Sequence, residues 1–273
     1  MSESGERHLR VEIADGVAVL TLDRPEQRNA FSGRMAQELG AAYVECDRSD
    51  DVRAVVVTGA GSAFCVGADL AAGGETFAKR DEPEFSAAGV EPPAFEVRKP
   101  VIAAVNGHAV GIGLTLAMQC DIRIFAREAK CGFLHVRRGV IPDAYSHWTV
   151  PRAIGFARAA ELFLTGRTFT GDEAAAMGLA SRALPAAEVL PAALAIARDI
   201  AANVAPLSAA LCKRLLWESR PATREEVGRK ETALHHVVMG RPDALEGVMA
   251  FLEKRAPRWQ LRVSRDWPER WPD

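Results

Sequence analysis

The stretch from Lys99 to Asp121, KPVIAAVNGHAVGIGLTLAMQCD, constrains the chain more than any other. Val101 to Val105 is an unbroken apolar run of strand length closed by Asn106-Gly107, and Gly111-Ile112-Gly113 leads into the apolar segment Leu114 to Met118. This predicts a buried strand, a glycine-rich turn and the start of a helix. Such a turn leaves the first helical N–H groups without intrahelical partners, and its glycines let a ligand approach the backbone. Two readings stay open: a cradle for an anion or a developing oxyanion, or glycines that only permit tight helix-on-strand packing. A dinucleotide fingerprint is incomplete, because the third glycine position after Gly111-x-Gly113 holds Leu116.

Towards the N-terminus, apolar and polar residues alternate on both sides of Asp15-Gly16, from Leu9 to Leu22, which predicts a hairpin. Ser32 reads as the N-cap of an amphipathic helix with Met35, Leu39, Tyr43 and Cys46 on its apolar face. Arg53 to Thr58 followed by Gly59-Ala60-Gly61 and Phe64 to Leu70 repeats the central design about 45 to 50 residues earlier, as a stacked supersecondary unit would. Ala71 to Val97 predicts loop with a short helix over a pocket. Asp121 to Phe125 and Cys131 to Phe133 read as short strands, and Ser146 as the N-cap of a helix over His147 to Ile154. Helices then dominate, over Phe156–Leu164, Gly171–Met177, Ala187–Asn203, Pro206–Ser219, Thr223–Met239 and Pro242–Arg255. The tail Trp259 to Asp273 is too polar for a core helix, and is expected to dock on a neighbour or fray.

With 273 residues and 48% hydrophobic content, the chain can bury a full core. A net charge of -2 gives no electrostatic footprint for nucleic acid. Cys46, Cys65, Cys120, Cys131 and Cys212 form no C-x-x-C pair, which argues against a disulfide framework or a zinc site and for reduced thiols in the cytoplasm. The polar start MSESGERHLR lacks the apolar core of a secretory signal. The longest apolar tract is broken by Asn106, His108 and glycines, which disfavours a membrane span.

Six ordered segments together carry a resemblance: LTLDRPEQRNAFS from Leu20, FCVGADL from Phe64, KPVIAAVNGHAVGIGL, CDIRIFAREAKCG, LFLTGRTFTGDEAAAMGLASRALP and RPDALEGVMAFLEKRAP. From about Val17 to Trp259 the chain resembles the crotonase superfamily of enoyl-CoA hydratases and isomerases. The resemblance implies an α/β fold, a crotonase-type stacked β-β-α superhelix with a helical C-terminal region. Residues 1–200 would form the spiral core with the acyl-CoA site, and residues 201–273 the trimerisation region of a homotrimer or dimer of trimers. Coenzyme A would be part of the substrate, with no separate cofactor and no metal. By motif position, the backbone N–H groups of Ala68, after Gly67, and of Ile112, after Gly111, would hold the thioester oxygen as it becomes an enolate. Further contacts to the substrate would come from Asp69, Leu70, Thr115, Tyr145 and Trp148, with Arg24 and Arg28 in the family's nucleotide-contact segment. Where the family usually has glycine this chain has Ile112, whose branched side chain narrows acyl approach and makes an unusual backbone angle costly.

The pattern breaks at the acid–base residues. The two glutamate positions of the family's hydratases are occupied here by Thr115 and His135. Imidazole titrates near neutrality, which suits proton transfer. Asp143, eight residues after His135, stands where isomerase members of the family carry a carboxylic acid. The resemblance therefore favours double-bond isomerisation, with Asp143 moving one proton between the α and γ carbons. Alternatives are hydration using His135 and Asp143, a thioester or carbon–carbon hydrolase, and a non-catalytic acyl-CoA binder.

Overall fold

The computed structural model describes residues 7–78, 86–219 and 222–272. Asp15 and Gly16 both take positive φ, 51° and 79°, the turn that matches strand twist, and join strands β1 (Leu9–Ala14) and β2 (Val17–Leu22) with Ala14 opposite Val17. Helix α1 (Gly33–Arg48) starts where Ser32 Oγ accepts from Met35 N at 3.1 Å, and buries the expected stripe of Met35, Leu39, Tyr43 and Cys46.

Strand pairs then follow: β3 (Ala54–Gly59) with β4 (Ala63–Cys65), and β5 (Val101–Val105) with β6 (His108–Val110). The central stretch differs from expectation in one respect. A third element, β6, lies between the apolar strand and helix α2 (Ile112–Ala117), because Ala109 N donates to Lys130 O and Gly111 N to Gly132 O, extending the ladder through the turn. Next come β7 (Ile122–Ala126), β8 (Cys131–Gly132), a 3₁₀ turn over Leu134–Arg138, α3 (Ser146–Ile154), α4 (Phe156–Thr165), β9 (Thr168–Phe169), α5 (Gly171–Met177), β10 (Arg182–Leu184) and α6 (Ala186–Asn203). One sheet has the order β1-β2-β3-β5-β7-β10 and the other β4-β6-β8-β9. Each turn of chain thus adds one parallel strand to each sheet, which is the stacking that the repeated strand–glycine units predict. Asn106 clamps successive turns, its amide accepting from Gly59 N at 3.1 Å and donating to Gly59 O at 2.9 Å.

Helix α6 lays Val189, Ala193, Ala197 and Ala201 against the larger sheet. A second core lies beyond it, where α7 (Pro206–Glu218), α8 (Arg224–Val238), α9 (Pro242–Leu252) and α10 (Val263–Asp266) bury Leu207, Leu211, Leu234 and Leu261. The two bodies are latched by Lys213, whose Nζ lies 2.8 Å from Asp121 Oδ2 and donates to the carbonyls of Ala94 and Lys99. Trp217 Nε1 donates to the other oxygen of Asp121 at 2.7 Å. Among the described residues no helix is long and apolar enough to cross a membrane.

Two local expectations are corrected, and a third is met within the described residues. The tail packs on its own chain instead of fraying: Trp267 and Trp271 stack at 5.7 Å, the Arg214 guanidinium lies 4.3 Å from the Trp271 ring, and Leu261 and Val263 are buried. Its indoles are covered by arginines from elsewhere in the chain, Arg98 and Arg214, which a count of polar residues in the tail misses. Ser146 is the first residue of α3 and not its cap; Tyr145 occupies the cap position at φ 60°. Of the Ala71 to Val97 segment, Gly73–Phe77 is a 3₁₀ turn and residues 79–85 lie outside the described residues.

Candidate active site

The tight-packing reading of the glycine turn holds at Gly113, while Gly111 serves the change of chain direction. A Cβ at Gly113 would sit 2.3 Å from Cys65 O, so α2 and β4 are in backbone contact there. Gly111 has φ 56° and ψ -130°, a conformation open to glycine alone, and swings the chain from β6 into α2. Ile112 therefore starts a regular helix at no backbone cost, contrary to the expected strained angle. Its side chain turns towards Gly89, where an added Cβ would meet Ile112 Cδ1 at 3.0 Å.

Ala68 is placed by a parallel bridge to Phe31. Phe31 N donates to Gly67 O at 2.8 Å and Asp69 N to Phe31 O at 3.0 Å, so alternation turns the N–H of Ala68 away from Phe31. Gly67 Cα lies 3.6 Å from the Cβ position of Gly111, which sets this strand beside the turn. Among the described residues neither the Ala68 N–H nor the Ile112 N–H has an acceptor.

One turn along α2, Thr115 Oγ1 donates to Asp143 Oδ1 at 2.7 Å. The same carboxylate oxygen lies 3.4 Å from His135 Nε2, which itself stands 3.8 Å from the Cβ position of Gly111. The imidazole is 8% exposed, and among the described residues neither ring nitrogen makes a hydrogen bond. Residues from α2, the 3₁₀ turn and the loop before α3 thus converge beside two free backbone donors. The arrangement can polarise a carbonyl and move a proton next to it.

Asp143 is presented by a strained loop. Ala144 and Tyr145 follow it with φ 48° and 60°, left-handed conformations that cost non-glycine residues about 1–3 kcal/mol each. Ala144 N donates to Ala87 O at 2.7 Å, Gln119 Nε2 donates to Ala144 O at 3.2 Å, and Ser146 N to Asp143 O at 2.9 Å. Gln119 and Ala87 were not singled out from sequence. The sequence signal that marks such a tether is a lone amide, Gln119, directly after the apolar run Leu116-Ala117-Met118.

Other candidate residues sit elsewhere. Arg24 is occupied by protein groups, donating to Asp69 Oδ2 at 3.0 Å and to Ala30 O at 2.7 Å. Asp69, held below the usual carboxylate range by the Ala71 N–H and then by Arg24, staples the strand that carries Ala68. Arg28 and Leu70 are exposed. Tyr145 donates to Glu91 Oε1 at 2.7 Å, which pushes its hydroxyl up to about 12, and its ring packs against Phe95. Trp148 stacks on Trp217 at 5.3 Å under the guanidinium of Arg152. Burial pushes the Cys65 thiol up to about 12, so it stays neutral beneath the turn. A groove of about 480 Å³ between α3, α6 and α7 is separate from the Asp143 cluster and is lined by Thr149, Lys213 and Trp217.

The stacked strand pairs, added one to each sheet at every turn of the chain, are the architecture of a known class of protein. The sequence profile of the Enoyl-CoA hydratase/isomerase family matches residues 12–262, and the chain belongs to that family, within the crotonase superfamily. The chain is 39% identical over 263 residues to "Enoyl-CoA hydratase AFT3-1" of Alternaria alternata, covering 95% of this chain and 88% of that one. Among solved structures, a "probable enoyl-CoA hydratase/isomerase from Mycobacterium abscessus" superposes with a TM-score of 0.89 at 55% identity, covering 92% of this chain and 98% of that one. An enoyl-CoA hydratase from Bacillus anthracis superposes at 0.85 with 32% identity, over 92% of this chain and 98% of that one.

Proposed function

We propose that this enzyme moves a carbon–carbon double bond in an enoyl-CoA ester through a thioester enolate, with Asp143 as the base. The observation that carries the reading is the Asp143 carboxylate. It is held at Oδ1 by Thr115 and approached by His135 beside the Ala68 and Ile112 N–H groups. An α C–H bond of a 3-enoyl-CoA breaks and its proton passes to Asp143, while the electron pair forms an enolate whose oxygen is held by the two N–H groups. The same proton returns at the γ carbon. Each N–H donor contributes roughly 10²–10³ in rate, and a placed acid–base group roughly 10²–10⁴. Coenzyme A belongs to the substrate, and no separate cofactor enters the step.

A second reading is hydration. It is favoured by the hydratase names of the relatives and by a buried imidazole 3.4 Å from Asp143 whose ring nitrogens make no hydrogen bond among the described residues, so that imidazole and carboxylate stand together as a pair able to activate a water. The deciding assay follows the conjugated thioester chromophore with a 3-enoyl-CoA and with crotonyl-CoA. Isomerisation raises the signal from the first and leaves the second unchanged; loss of the second means hydration. Free acid means a hydrolase, and tight binding without turnover an acyl-CoA binder. Asp143→Asn is expected to lower isomerase kcat by about 10²- to 10⁴-fold with little change in binding, and an undiminished rate in that variant removes Asp143 from the role.

Association of copies belongs to the same reading. Helix α9 exposes Leu245, Val248, Met249 and Leu252 at helical spacing on one face, as a homotrimer contact would require. The free cysteines, four of them buried, suit a reducing cytoplasm.

A further inference from the structure

We infer that Thr115 is the positioning residue of this site: its hydroxyl occupies Oδ1 of Asp143, so that Oδ2 is the oxygen that takes and returns the proton. The inference rests on the reading of Asp143 as the base. Thr115 is fully buried, and its hydroxyl has one proton and two acceptors in reach, Asp143 Oδ1 at 2.7 Å and Ile112 O at 3.1 Å. A carboxylate is the stronger acceptor and the closer one, so the proton points to Asp143. His135 Nε2 approaches the same oxygen at 3.4 Å. Among the described residues no donor reaches Oδ2, and the Asp143 side chain is 25% exposed. One oxygen is thus held by the protein and the other left open.

The placement of Thr115 gives this contact its use. Ile112, which supplies an oxyanion donor, and Thr115, which holds the base, are three residues apart on α2. The rigid helix fixes the spacing between enolate oxygen and carboxylate, whereas Asp143 sits in a loop whose aspartate would otherwise rotate about two side-chain torsions. In the step, the α C–H bond breaks, its proton goes to Oδ2, and the electron pair enters the Cα–C1 bond as the thioester oxygen becomes the enolate oxygen. The Thr115 hydroxyl keeps its proton throughout. Hydrogen bonding at Oδ1 keeps that oxygen from competing for the transferred proton, which favours return of the same proton over exchange with solvent.

The test compares wild type, Thr115→Val, Thr115→Ser and Asp143→Asn. Proton exchange at the α carbon of butyryl-CoA in D₂O is followed by NMR, butyryl-CoA binding by calorimetry, and protium retained at the γ carbon by turnover of a 3-enoyl-CoA in D₂O. Valine matches threonine in shape but cannot donate. Expected for Thr115→Val is exchange slowed about 10- to 100-fold, unchanged Kd and less protium retained, with Thr115→Ser restoring both readouts. Thr115→Val at the wild-type rate, while Asp143→Asn is silent, overturns the role of Thr115 and leaves the base in place. Weakened binding in Thr115→Val, or no rescue by serine, makes Thr115 a packing residue and overturns it equally. A wild type that leaves a 3-enoyl-CoA unisomerised, or an Asp143→Asn variant with full turnover, overturns the base and the inference with it.

Discussion

At the scale of single residues, the glycines of the chain divide by what surrounds them. A methyl group at Gly113 would strike the backbone of Cys65 at 2.3 Å, and neither α2 nor β4 can yield easily, because every residue of both is buried. Gly113→Ala is expected to cost about 1–3 kcal/mol of stability or more, measured by chemical denaturation. Gly228 is the opposite case, exposed in the middle of α8 with nothing within 4 Å of an added Cβ. Gly228→Ala is expected to add about 0.5–1 kcal/mol in the same measurement, by removing backbone freedom from the unfolded chain. Both positions are plain glycines in the sequence. Their opposite signs come from neighbours far away in the chain.

At the scale of elements, helix ends were legible because their chemistry is local. Ser32 caps α1, and Thr223 with Glu226 closes a reciprocal capping box on α8, each set within four consecutive residues. The C-terminal tail was not legible, because the groups that dock it, Arg98, Arg214 and Glu218 on its indoles and Arg241 on Asp266, are remote in the chain. Asp266 accepts from Arg262 N at 2.8 Å and pairs with Arg241 and Arg265, which pulls its carboxyl down to about 2 against the cost of burial. A carboxyl depressed on folding contributes stability that is full above its unfolded value and is lost as pH falls through the folded one. The wild-type advantage over Asp266→Asn in thermal unfolding is therefore expected to be greatest from pH 5 to 7 and to shrink between about pH 4 and pH 2, with Trp267 and Trp271 fluorescence reporting the tail. An advantage that does not change over that range removes Asp266 as the anchor.

At the scale of the whole molecule, two hydrophobic cores meet at the end of the central stretch, where Asp121 receives Lys213 and Trp217 from α7. This buried pair fixes the orientation of the helical region on the sheets; its charges are expensive to bury and are matched by four further protein groups. Orientation matters because α9 then carries its apolar face outward, with Leu245 66% and Leu252 66% exposed. Light scattering on the purified protein is expected to give three chains or six, and Leu245→Glu with Leu252→Glu to give single chains. A wild type that is monomeric at micromolar concentration rules out that use of the face.

By itself the sequence determined the elements whose causes lie within a few residues: the Asp15-Gly16 hairpin, the capped helices, the buried strand before the glycine turn, and the repeat that stacks one strand on the next. It also marked Asp143, His135 and Thr115 as departures from the family's hydratase pattern. Tertiary structure alone decided that these three share one carboxylate oxygen, although 28 residues separate Thr115 from Asp143. It decided equally that Arg24 is taken up by Asp69, that two residues after Asp143 are held left-handed, and that the tail folds back on its own chain. Local pattern encodes backbone hydrogen bonding and the side that faces a core, whereas contacts between side chains distant in sequence arise only when the packed sheets fix where each loop ends.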